Sequence, residues 1–143
     1  MSRIPVMLHI VGKQNYAGQD PDVIELVTDG YLTSKGDVWE IGYEESALTG
    51  LEGVTSVFRV GPRGVTLRRT GRLQSQMMFQ EGKRHESLYQ MEFGTLMITV
   101  CAQKIRYDLS AEKGGTVDLV YQIEIEAAAA GMVDYHLDVI VKQ

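Results

Sequence analysis

Between Thr116 and Glu126 the chain alternates more strictly than anywhere else. Val117, Leu119, Tyr121, Ile123 and Ile125 fall on one face of an extended backbone. Asp118, Gln122, Glu124 and Glu126 fall on the other. Successive side chains of a strand point to opposite faces, so this period of two predicts a strand packed on one side and wet on the other. Further runs of strand character cover Ile4–Val11, Asp22–Leu32, Val38–Ser46, Val54–Val60, Gly64–Gly71, Ser75–Glu81, Arg84–Met91, Thr95–Leu109 and Val133–Val141. Turn signals separate them: Gly18 with Asp20-Pro21, Ser34-Lys35-Gly36-Asp37, Gly61-Pro62-Arg63-Gly64, Gly82-Lys83 and Gly114-Gly115. No long amphipathic helix interrupts the series.

Ala47–Gly53 is a glycine-punctuated connection with room for one helical turn. Ala127–Ala130 favours helix by composition, but four residues between strong strand patterns cannot sustain one. It reads as strand end plus turn, closed by Gly131. Sequential strands joined by short turns pair as neighbours, and closing the sheet removes its exposed edges. The expectation is therefore all-β: one closed antiparallel up-and-down barrel of about 8–10 strands, residues 1–143 forming a single domain. Trp39, Ile41, Tyr43 and Glu45 share a face, so a core-facing Trp39 carries Glu45 inward. Ser75–Gly94 is expected to be a hairpin feeding a third strand.

A net charge of -5 argues against general nucleic-acid binding, which needs clustered cations to neutralise phosphates. The basic cluster of Arg59, Arg63, Arg68, Arg69, Arg72, Lys83 and Arg84 reads as outward charges on adjacent hairpins. Cys101 is the single cysteine; it forms no intrachain disulfide and reads as a small buried hydrophobe. The opening MSRIPVMLHIVGKQ has no signal-cleavage pattern, and no apolar span is long enough to cross a membrane as a helix. Neither nucleic acid nor a membrane is an expected partner. A reducing cytoplasm is the expected setting.

His9, His85 and His136 lack close His or Cys partners, so no metal or cofactor is expected. No nucleophile elbow appears. Ser87 and His85 share a strand face but stand roughly 6–7 Å apart along it, so no catalytic residue is assigned. The glycines match no phosphate loop.

What remains is a barrel that holds a ligand. The expected site lies where Tyr43–Glu52 meets the Ser75–Tyr89 stretch. Glu45, Gln76, Arg84 and His85 supply polar lining, and Tyr43, Met78 and Tyr89 apolar contacts. Arg84 has two readings. It anchors a ligand carboxylate or phosphate through paired charge-assisted hydrogen bonds, or it closes one barrel end as a buried ion pair with Glu45. The expected function is non-enzymatic binding of a small anionic or amphipathic molecule. The alternative is a structural, oligomerisation or partner-binding module, with a homodimer left open.

Tyr43-Glu44-Glu45-Ser46, Leu48-Thr49-Gly50-Leu51-Glu52-Gly53, Ser75-Gln76-Met77-Met78-Phe79-x-x-Gly82, Arg84-His85-x-Ser87-Leu88-Tyr89 and Phe93-Gly94 occur in this order. Together they resemble the YwiB-like proteins, the DUF1934 family of bacterial calycin-like barrels of unknown function. The resemblance covers nearly the whole chain. It implies a lipocalin-like closed barrel in a bacterial cytoplasm, and it implies no activity, ligand or catalytic residue. Ala127–Ala130 departs from the family pattern by being small and apolar.

Overall fold

The computed structural model describes residues 3–15, 20, 22–46 and 51–142, with the backbone alone for 129 and 130. Among them run ten strands: β1 (Ile4–Asn15), β2 (Asp22–Lys35), β3 (Val38–Glu44), β4 (Val54–Gly61), β5 (Gly64–Gly71), β6 (Ser75–Phe79), β7 (Arg84–Met91), β8 (Gly94–Ser110), β9 (Gly114–Ile125) and β10 (Ala128–Val141). They form one antiparallel sheet in the order β6-β5-β4-β3-β2-β1-β10-β9-β8-β7. The first strand pairs with the last, so the sheet curls into a nearly closed up-and-down barrel, as the alternation implied. No helix among the described residues is long and apolar enough to cross a membrane.

The barrel is filled at one end and hollow at the other. At the filled end Leu8, Leu32, Ile41, Val60, Val65, Phe79, Val100 and Leu137 are all but sealed from solvent. The alternation of each strand brings these side chains to one core. A bulge between Ala102 and Lys104 lets β8 change faces part-way along. Ile98, Val100 and Ala102 point inward before it, and Ile105 packs on the core after it. That switch moves the inward set from even to odd positions and contributes to the two-sided apolar look of Thr95–Leu109.

Three local expectations change. The last hairpin turns at Glu126 and Ala127, both with positive φ, and Ala128 already pairs with Ile125. Gly131 lies within β10 beside a second bulge, so it does not close the turn. Cys101 is half-buried rather than buried, because β8 carries it on the outer face beside Arg84. The Gly18 turn and the Ala47–Gly50 part of the expected helical turn lie outside the described residues.

The β6–β7 hairpin is the largest correction. Its ladder exists only at its two ends, as single bridges between Gln80 and Lys83 and between Gln74 and Gln90. Five residues (75–79) separate the bridges on the β6 side and six (84–89) on the β7 side. Zipping the hairpin outward from its turn would set Met77 opposite Glu86 and drive Arg84 and Glu86 toward the core. A one-residue slip flips every side chain to the other face. Pairing with β8 instead keeps His85, Ser87 and Tyr89 on the inner side. A seam therefore stays open between β6 and β7.

Inside the wall, Gly30 lies opposite Tyr43. A Cβ there would stand 2.5 Å from the Gly42 carbonyl oxygen and 2.8 Å from Leu8 Cδ1. Gly30→Ala is expected to cost about 1–3 kcal/mol through overpacking, seen as a lower urea midpoint with an unchanged slope.

Candidate functional site

The hollow end encloses a cavity of about 400 Å³. Its apolar walls include Leu26, Met77, Ile98, Ile123 and Val133. A row of direct cross-strand partners carries polar groups to this end. Tyr43 on β3 faces Ser56 on β4, Ser56 faces Arg69 on β5, and Arg69 faces Ser75 on β6. Arg69 is inward because Val65 and Leu67 are, four and two residues earlier on the same strand face.

Glu45 completes the cluster just beyond β3, its amide donating to the Val54 carbonyl at 2.8 Å. Its side chain is only 2% exposed. The Ser56 hydroxyl donates to Glu45 Oε2 at 2.6 Å, and Arg69 Nε donates to Ser56 Oγ at 3.4 Å. Arg69 Nε stands 3.9 Å from Glu45 Oε2, so Ser56 bridges a long ion pair. Burial pulls the Arg69 guanidinium down, but Tyr89, Tyr43, Glu45 and Tyr135 around it outweigh burial and raise its pKa. Arg69 therefore stays a cation. Among the described residues its hydrogen bonding is confined to Nε, which leaves its outer nitrogens unclaimed.

Two phenols meet across the cavity, with the hydroxyls of Tyr43 and Tyr135 3.3 Å apart. The Tyr135 ring packs 5.5 Å from Phe58, centroid to centroid. Burial, then the neighbouring Tyr135 and Glu45, hold the Tyr43 phenol far above its ordinary pKa. Burial pushes Tyr135 up to about 12. Both remain neutral at physiological pH and can donate or accept.

The structure brings together part of the expected site. Tyr43, Glu45 and Tyr89 line the cavity. His85 lies at the seam, its Nε2 2.8 Å from Gln80 Oε1. Gln76 and Met78 point outward on β6, on the outer lip of the seam rather than in the cavity. Arg84 also points outward, where it makes a two-pronged pair with Glu124 at 3.3 and 2.6 Å. The expected Arg84–Glu45 pair is thus replaced by Arg69–Glu45, and Arg69 leaves the group of outward charges. Ser56, Arg69, Ser75 and Tyr135 join the site without having been expected there. The Val65-x-Leu67-x-Arg69 spacing holds the signal for the arginine.

The outer wall carries a second polar row. His136 Nε2 lies 2.9 Å from Asp138 and its Nδ1 contacts Asp118, while His9 Nε2 lies 2.9 Å from Glu25 and Nδ1 3.5 Å from Asp138. No group of three or more His, Cys, Asp or Glu among the described residues is placed to hold a metal ion. The hydrogen bond to Asp118 raises the His136 pKa against desolvation, with Asp138 adding to it.

The family model described as a domain of unknown function, DUF1934, matches residues 8–138. The chain belongs to the DUF1934 family, and its described residues form a nearly closed ten-stranded barrel. Among solved structures it is similar to the YwiB protein of Bacillus subtilis, at a TM-score of 0.86 and 22% identity over 99% of this chain and 94% of that one. That likeness supports the fold. No curated protein matches the chain.

Two outcomes test this geometry. Arg69→Met removes the cation beside the buried Glu45 carboxylate and is expected to cost about 3–5 kcal/mol. Adding Glu45→Gln should recover much of that loss, whereas Arg84→Ala leaves the urea midpoint unchanged. For His136, a raised folded pKa means its contribution is full below the unfolded value of about 6.5 and is lost as pH rises through the folded pKa. Wild-type melting temperature is expected to fall over that window, and His136→Gln to flatten the fall.

Proposed function

We propose that this protein binds a small amphipathic anion in the hollow end of the barrel, without chemical conversion. The observation that carries the reading is a largely buried cation whose outer nitrogens have no hydrogen-bond partner among the described residues and which lines an apolar cavity. Ligand pockets are characteristically apolar with a few placed polar groups. Arg69 would take the anionic head through paired hydrogen bonds. Leu26, Ile98, Ile123 and Val133 would cover the apolar body, and Tyr43, Tyr89 and Tyr135 would supply adjustable phenols. Cytoplasmic residence accords with a single cysteine that has no disulfide partner in the chain.

A second reading, a homodimer, draws support from the outer wall. Met7 and Ile140 are cross-strand partners there and are 40% and 52% exposed. A dimer in sedimentation that Ile140→Lys dissociates would favour it.

The binding reading is tested with decanoate by calorimetry. Wild type is expected to bind saturably. The paired substitution Glu45→Gln with Arg69→Met, which keeps the cavity neutral and folded, is expected to bind at least tenfold more weakly. Equal affinity in both proteins, or no binding by wild type, would contradict it.

A further inference from the structure

The geometry points to the open seam between β6 and β7 as an oxyanion subsite, where the hydroxyls of Ser75 and Ser87 join Arg69 in receiving a carboxylate or phosphate head group. This deepens the cavity reading and rests on it. The seam exists because the two strands hold unequal numbers of residues between their terminal bridges. Gln74 and Gln90 exchange both backbone hydrogen bonds at 2.8 Å, so the far end is firmly tied. Between that tie and the Gln80–Lys83 turn, the strand edges face each other without a ladder.

Two hydroxyls sit in this gap with nothing to bond among the described residues. Ser75 Oγ and Ser87 Oγ are buried and lack a hydrogen-bond partner there. Ser75 is only 7% exposed. Leaving a buried hydroxyl unpaired costs stability, so a wall built only for packing would place Ala there. Arg69 is the direct cross-strand partner of Ser75. It lines both the seam and the central cavity, which places it between the two spaces. Two neutral donors and a cation converging on one gap match an oxyanion with several acceptor lone pairs. Arg69 already shares its charge with Glu45, so hydroxyl donors let an anion bind without adding a second cation. The apolar tail would run from the seam into the hollow end. His85, at the same gap, already holds Gln80 and has a wall role.

The test uses decanoate, decyl phosphate and decanol with wild type and with the double substitution Ser75→Ala and Ser87→Ala. Removing two unpaired hydroxyls is expected to leave the ligand-free melting temperature unchanged or raised. Affinity for the preferred oxyanion is expected to fall at least tenfold, while decanol stays within about twofold. The oxyanion that wild type binds more tightly names the head group. Unchanged oxyanion affinity, an equal loss for decanol, or a lower ligand-free melting temperature would overturn the subsite and leave the cavity reading standing. Failure of wild type to bind any of the three would overturn both.

Discussion

The interior of this barrel is organised by one largely buried cation. Arg69 enters the core on the same strand face as Val65 and Leu67. A charge taken out of water must be paired and hydrogen-bonded, or it is not tolerated. Glu45 and Ser56 meet part of that need on one edge of the guanidinium. The rest of the group requires polar company, so the surrounding end of the barrel adds phenols and hydroxyls to its walls of Leu, Ile and Val. That end encloses the cavity of about 400 Å³. The filled end then supplies the packing that holds the strands in register.

The seam has an independent origin in strand arithmetic. β7 could pair with β6 through its tight turn, or with β8 through the face pattern of His85, Ser87 and Tyr89. These demands differ by one residue. Burying Arg84 and Glu86 would cost far more than leaving a few backbone pairs unmade, so β8 wins. Arg84 is released to the surface and finds Glu124.

Much of the fold is legible in the sequence because period-two patterning survives wherever one face is buried. Thr116–Glu126 and Val38–Ser46 turn the expected residues inward. The burial of Glu45 follows from its shared face with Trp39 and Ile41. Where sequence and structure part, the cause is physical. Positive charge suggests the surface for Arg69, although its spacing from Leu67 places it in the core. Gly82-Lys83 marks a real turn, but a turn does not reveal that its two strands are out of step. Gln76, Met78 and Arg84 stand close to Tyr89 in sequence, and alternation separates them from it. Tyr135 joins the site from a distant strand, through a closure that no local pattern carries.

Arg69 lines an apolar space, and the proposed amphipathic anion would occupy it. Crystals soaked with an ω-brominated decanoate test this most directly, because the bromine marks the tail and the carboxylate marks the head. The predicted result is an anomalous peak among Leu26, Ile123 and Val133, with the carboxylate in hydrogen-bond reach of Arg69. Bromine found only on the outer wall, or Arg69 sealed by protein groups on all sides, would contradict it.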